Sequence, residues 1–309
     1  MSSDAVHLTT ALATRPHTAA LKEGAVVPRG FRLDFADVEP IIAAFRRMVR
    51  DLEFDVCELA PTTYLAAREA GVPLTAIPAF LTRRFHHGDI VCRPGSGIRT
   101  PKDLEGRRVG VRAYTVSTGV WARGILATEY GVDLDAITWV VDDEEHVTAV
   151  ELPPNVVHTD EPIAEQFAAG RIDAALSGPA GIGRSGAPQA GWSIAGSGFD
   201  DARRASEAFF PLFPDAEAAE ADWYRRTGIY PIHGLVAIRT DVTDAHPDLA
   251  ASLMDAFVAA KERSGAVDTL PYGVPDNRPT LEALCDFTFD QHIVTARPSV
   301  DDLFQPVRR

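Results

Sequence analysis

Short apolar strands alternate with helical runs along most of this chain, and that alternation constrains its fold more than any other feature. Residues 31–38 alternate as a strand, and Pro40 opens a helix on which Ile41, Ile42, Phe45, Met48, Val49 and Leu52 recur at helical spacing. Phe54-Asp55-Val56-Cys57 is a short strand with Glu58 just past it. Pro61 begins a second helix, through Ala70, that Gly71 ends. Strands follow at 75–81 and 89–92. Further on, strand signals at 109–111, 137–141, 172–176 and 235–238 alternate with helices at 115–130, 163–169, from His246 and at 280–292. Strands separated by helices imply an α/β protein with largely parallel sheets.

Composition narrows the function. The 309 residues are 46% hydrophobic and 24% charged, enough for a sizeable core and two lobes. The formal charge of −14 and pI near 5.0 argue against nucleic-acid partners and against anionic membrane surfaces. Cys57, Cys92 and Cys285 are far apart, which argues against a disulfide framework or a structural zinc. Residues 1–7 show no positive n-region and no long apolar core, so a cytoplasmic protein is expected, with no membrane partner. Homo-oligomerisation is left open.

Against this acidic background stands a basic knot, Arg83-Arg84-Phe85-His86-His87, at the end of an apolar strand. Guanidinium forks hold carboxylates and imidazoles move protons near neutral pH. Residues alternate in direction on an extended segment, so one histidine of the pair is expected to point inward. A second anion candidate is Arg112-Ala113-Tyr114-Thr115-Val116-Ser117-Thr118, where a strand end runs into a hydroxyl-rich helix N-terminus. Trp121, further into that helix, is expected in the core. Glu58 sits at a strand's C-terminal lip, where open α/β sheets bind ligands. His233 precedes a strand where the chain recrosses between lobes. Asp142-Asp143-Glu144-Glu145-His146 lacks calcium-loop spacing and is expected to be a solvated acidic loop. No metal site, phosphate-binding glycine loop or serine-nucleophile elbow is found.

Several of these phrases together resemble a known superfamily. Asp55-Val56-Cys57-Glu58-Leu59 leading into a helix, the stretch from Gly97 to Val111, and Gly170-Arg171-Ile172-Asp173-Ala174 resemble the type II periplasmic-binding-protein fold. Within it the chain is most similar to the 4,5-dihydroxyphthalate decarboxylase-like family. The resemblance rests on Phe54–Leu59, Phe80–His87, Trp121–Leu126, Thr227–His233, Pro271–Gly273 and Asn277–Glu282. Two departures are Leu270, where relatives carry Trp, and Ile232-His233-Gly234, where they carry a Met-His pair.

The resemblance implies a two-lobed α/β fold with a ligand cleft between the lobes. Lobe 1 is expected to comprise 1–96 plus 231–309, and lobe 2 the inserted 97–230. It also implies a decarboxylase of a hydroxylated aromatic acid that needs no organic cofactor, acting by ring protonation and CO2 loss. The partner is then a small aromatic carboxylate. His86, Glu58 and His233 become the catalytic candidates. Arg83, Arg84, His87, Arg112, Tyr114, Thr115, Ser117 and Thr118 become the substrate-binding ones. The alternative is a solute-binding protein that delivers a small anionic ligand to an ABC transporter.

Overall fold

The computed structural model describes residues 5–182, 209–265 and 271–306. Leu270 and the segment 183–208 of the expected second lobe lie outside them. The described strands form two sheets. The first has five strands in the order β2 (Phe31–Phe35), β1 (Val6–Ala11), β3 (Val56–Leu59), β11 (Ile232–Arg239), β4 (Leu74–Arg83). The second has six, in the order β10 (Phe210–Pro211), β5 (Ile90–Cys92), β9 (Ala174–Leu176), β6 (Arg108–Gly110), β7 (Thr138–Val141), β8 (Val156–His158).

Each sheet has a parallel core interrupted by antiparallel strands. β11 runs antiparallel to both β3 and β4, and β5 runs antiparallel to β9 and β10. These reversals are where the chain changes sheets. Because β5 already belongs to the second sheet, the first crossing lies in residues 84–89, not after Ser96 as expected. The basic knot is therefore the crossover itself, and the second crossing precedes β11. The antiparallel β11 brings its N-terminal end, with His233, to the edge where β3 ends at Leu59 and β4 ends at Arg83.

Among the described residues the helices are α1 (Pro16–Lys22), α2 (Ile42–Asp51), α3 (Pro61–Glu69), α4 (Ser117–Tyr130), α5 (Ile163–Ala168), α6 (Ala216–Thr227), α7 (Thr240–Ala245), α8 (Leu249–Arg263) and α9 (Arg278–Asp290). The short α1 escaped the sequence reading. Its Pro16 occupies the first turn, where the missing N–H costs nothing, but too few residues follow for helical periodicity to register.

One apolar cluster runs through both sheets' neighbourhoods, from Tyr64 and Leu65 on α3 through Trp121 and Leu126 on α4 to Leu284 and Phe287 on α9. Trp121 is fully buried, as expected, and its Nε1 donates to the Ile232 carbonyl at 3.1 Å. The close approach of α4 to α9 depends on Gly124, where a Cβ would fall 2.0 Å from the Phe287 ring. Replacing glycine in a helix ordinarily gains about 1 kcal/mol of propensity. Here overpacking outweighs that gain. Gly124→Val is expected to destabilise the fold by about 3 kcal/mol, read as a lowered midpoint in urea unfolding at unchanged slope.

Candidate active site

The edges of the two sheets enclose a cleft of about 870 Å³. Its walls mix an apolar patch of Pro40, Ile41, Ile42, Phe45, Val91 and Pro211 with three arginines, Arg15, Arg84 and Arg112, each paired with a carboxylate. An aromatic acid has the same division, a flat apolar body with charged edges.

The first pair is Arg15–Glu58. Glu58, the penultimate residue of β3, is 2% exposed and receives a two-bond fork from Arg15, at 2.6 and 2.7 Å, plus the Ala13 N–H at 3.3 Å. A carboxylate so occupied is built to hold Arg15 in the cleft wall rather than to supply a proton. Gly234 makes room for it, since a Cβ there would lie 3.0 Å from Glu58 Oε1 and 2.8 Å from Thr82 Oγ1.

The second pair is Arg84–Asp89, with Arg84 Nη1 on both Asp89 oxygens at 2.8 and 2.7 Å and Nη2 donating to Thr118 Oγ1 at 3.0 Å. Asp89 Oδ2 also lies 2.7 Å from His86 Nδ1, and His86 Nε2 lies 3.0 Å from His233 Nε2. An ionised carboxylate only accepts, so His86 carries its proton on Nδ1 and presents a lone pair at Nε2. His233 then donates from Nε2, which leaves Nδ1 as its remaining nitrogen. His86 is fully buried and does not line the cleft, whereas His233 does. The cleft-facing imidazole is thus His233, with His86 as the link behind it.

Burial dominates the titration of this chain. It pushes His86 down to about 4 against the opposing hydrogen bond that His86 donates to Asp89. It also holds His233 well below the usual imidazole range, helped by the neighbouring His86 and Arg84 charges. Burial alone would raise Asp89, but the hydrogen bond from His86 and the nearby cations outweigh it and hold its carboxyl low. At neutral pH the histidines are neutral and the aspartate is charged.

The third pair is Arg112–Asp143 at 3.0 Å, extended by Arg46 of α2 at 2.9 Å from the other Asp143 oxygen. Arg46 also donates to the Glu144 carbonyl, and Arg50 to the carbonyls of Glu145 and His146. The acidic run is therefore a buried strap clamped by α2, not the solvated loop expected; Asp143, Glu145 and His146 are at most 8% exposed. His146 lines the cleft, with Nδ1 3.0 Å from Thr63 Oγ1.

Two helix N-termini complete the walls. α3 and α4 begin at Ala60 and Val116 without side-chain caps, and Thr62 Oγ1 meets Ser117 Oγ at 2.8 Å. Uncapped helix starts present backbone N–H donors and a positive dipole end, both suited to a carboxylate. Ala60, Thr63, Val116, Ser117 and Thr118 line the cleft there.

Of the sequence candidates, Glu58, Arg84, Arg112, Ser117, Thr118 and His233 meet at the cleft. The others turn away for identifiable reasons. Arg83, the neighbour of Arg84 at the strand end, points to the opposite side. Its Nη1 donates to the Tyr230 carbonyl at 2.9 Å and its guanidinium lies over the Phe80 and Tyr230 rings. His87 packs edge-on against Phe213 and Trp223. Tyr114 lies under Arg123, 3.8 Å from its ring centroid. The expected anion nest at Tyr114 and Thr115 is filled by the chain's own Glu145, which accepts both backbone N–H groups and the Thr115 hydroxyl. The sequence reading missed Arg15, Asp89 and His146. Asp89 three residues after His86 was the available signal, but it reads equally as the start of a strand.

Comparison with known proteins agrees with this architecture. Residues 36–288 match the family described as ABC transporter, phosphonate, periplasmic substrate-binding protein. A 4,5-dihydroxyphthalate decarboxylase of Comamonas testosteroni is 34% identical over 227 residues, which cover 70% of this chain and 63% of that protein. The chain thus spans less than two thirds of this relative's length. A 4,5-dihydroxyphthalate decarboxylase of Pseudomonas putida is 30% identical over 193 residues, 59% of this chain and 67% of that protein. The periplasmic aliphatic sulphonate-binding protein of Escherichia coli superposes with a TM-score of 0.55 over 99% of this chain and 93% of its own, at 11% identity. The chain is an α/β protein of the two-lobed binding-protein type, similar in sequence to the 4,5-dihydroxyphthalate decarboxylases, and it belongs to the phosphonate-type periplasmic substrate-binding family.

Proposed function

We propose that this protein is a carboxy-lyase that removes CO2 from a hydroxylated aromatic carboxylic acid, with a dihydroxyphthalate-like diacid as substrate, by ring protonation and without an organic cofactor. The observation that carries the reading is the Asp89–His86–His233 chain ending at the cleft wall. Passive binding of an anion has no use for a buried, directional proton path. The names of the two sequence relatives support the same reading.

The chemistry follows from the residues. The substrate's ring lies on the Ile41–Phe45 patch, and its carboxylates meet the α4 N-terminus with Arg84 and Thr118, or Arg15. Bringing negative charge beside neutral His233 raises its proton affinity, so the imidazole is charged only when substrate is present. Asp89 stabilises that imidazolium through His86. A ring hydroxyl, ionised, pushes electrons toward the carbon bearing the carboxylate. His233 gives its proton to that carbon, which becomes tetrahedral. The carbon–carboxylate bond then breaks and its electron pair returns to the ring as CO2 leaves. One proton is consumed overall, and the apolar walls limit competing water. Three buried, unpaired cysteines suit the reducing cytoplasm, where we place the enzyme.

The test is CO2 release from hydroxylated phthalates and benzoates, with and without chelator. Release from a hydroxylated ortho-diacid, unaffected by chelator, is expected. Tight reversible binding without release from any of these acids would replace this reading by the solute-binding one that family membership alone favours.

A further inference from the structure

The proton path uses one end of the cleft, the crossover and β11. The other end, bounded by α2 and the 143–146 strap, holds a polar group that the chemistry above does not employ. His146 is 5% exposed and lines the cleft, and its Nε2 is buried with no hydrogen-bond partner. Orphaned buried nitrogens are rare because each forfeits its hydration. Phe45 packs edge-on against the ring and Thr63, two residues into α3, fixes Nδ1. Arg112 lines the same end of the cleft.

We propose that His146, set by Thr63 and flanked by Arg112, is the subsite that recognises the phenolic oxygen of the substrate. This rests on the aromatic-acid reading above. In the tautomer in which the Thr63 hydroxyl donates to Nδ1, the neutral ring carries its proton on Nε2 and donates to that oxygen. Burial and the charges of Arg112, Arg46 and Arg50 keep the imidazole well below its ordinary pKa, so it stays a neutral donor. A donor with cations behind it favours phenolate over phenol, and phenolate is the form that drives electrons into the ring. His146 thus discriminates hydroxylated acids from plain ones, while His233 serves the carbon that loses CO2.

The test separates this subsite from turnover by using the His233→Asn background and two probes, phthalate and 4-hydroxyphthalate. The hydroxyl is expected to improve the dissociation constant by roughly tenfold. Adding His146→Asn keeps a partner for Thr63 but removes the Nε2 position. It should bring the ratio of the two constants close to one with phthalate binding unchanged. His146→Gln, which places an N–H near Nε2, should restore part of the ratio. Bound 4-hydroxyphthalate should also show phenolate absorbance below the free phenol's pKa, and lose it in His146→Asn. Thermal melting checks that the variants fold, and Thr63→Val, which removes the hydroxyl that sets the tautomer, should lower the ratio by a second route. An unchanged ratio, or equal weakening of both probes, would overturn the subsite. Absence of CO2 release in the wild-type protein would instead count against the decarboxylase reading alone.

Discussion

On the proposed mechanism, His233→Asn is expected to lower kcat by about 10²–10⁴-fold while changing KM little, because it removes the group assigned to the ring carbon but leaves Arg15, Arg84 and the α4 N-terminus in the cleft wall. The more telling variant is Asp89→Asn. Asp89 touches neither the cleft-facing nitrogen nor the reacting carbon, and it acts through the His86 tautomer. An asparagine that presents its amide N–H to His86 Nδ1 forces the proton to Nε2. Two N–H groups would then meet across the 3.0 Å gap to His233. The path is reversed without moving a backbone atom, so a loss in kcat nearly as large as for His233→Asn is expected. The double variant should be little worse than either single one, since the residues act as a unit. Arg84 is the control for charge. It also pairs with Asp89 at 2.7 Å but donates to Thr118 at the anion site, so Arg84→Ala should raise KM more than it lowers kcat. Additive losses from Asp89→Asn and His233→Asn in steady-state kinetics would show that the two do not form one proton path.

The division between what the sequence revealed and what it hid has a physical pattern. Sheet and helix positions were legible because period-two and period-3.6 patterns are local, and α2, α3, α4, α8 and α9 all lie close to where the apolar spacing puts them. Glu58, Arg84, Thr118 and His233 were legible because each stands where a strand or helix changes into a loop, and such places form the cleft of an α/β fold. Direction was harder. Arg83 and Arg84 are chemically identical in the sequence, and only the pairing of Ile232 with Arg83 in the sheet decides which one faces the cleft. Partnership was not legible at all. Glu145 filling the Thr115 nest spans 30 residues, Arg15 reaching Glu58 spans 43, and His86 meeting His233 spans 147. Nothing local encodes such pairings, so residues whose role depends on a distant partner were missed or given the partner's task. The strap read as a solvated loop is an error of that kind, since the Arg46 and Arg50 partners that bury it lie about a hundred residues away.

The same buried imidazoles that make the site directional should make the protein fragile in acid. His17, His86, His87, His146 and His233 all titrate below the ordinary imidazole value in the folded state, and burial is the first cause in each. In the unfolded chain they take up protons near pH 6.5. Between that value and their lower folded values the unfolded state therefore binds more protons, and stability must rise with pH across the window. Their contribution is complete above about pH 6.5 and is lost as pH falls toward 4. For His86, moved from 6.5 to about 4 in a fully buried setting, the loss is about 3 kcal/mol by the bottom of the window. Several such groups acting together draw on the roughly 5–15 kcal/mol that holds an ordinary domain folded. A marked loss of stability toward pH 4 is therefore expected, measured as the urea midpoint against pH with the steepest decline between pH 6 and 4.5 (the window set by the shifts above). His87 isolates the effect, because it packs against Phe213 and Trp223 and does not line the cleft. His87→Phe removes one titrating group from an apolar site, so it should flatten the acid limb by about one proton while leaving decarboxylation at neutral pH unchanged. A variant as acid-sensitive as wild type would mean that the buried histidines do not set the acid limit, and that carboxylates such as Asp89 set it instead.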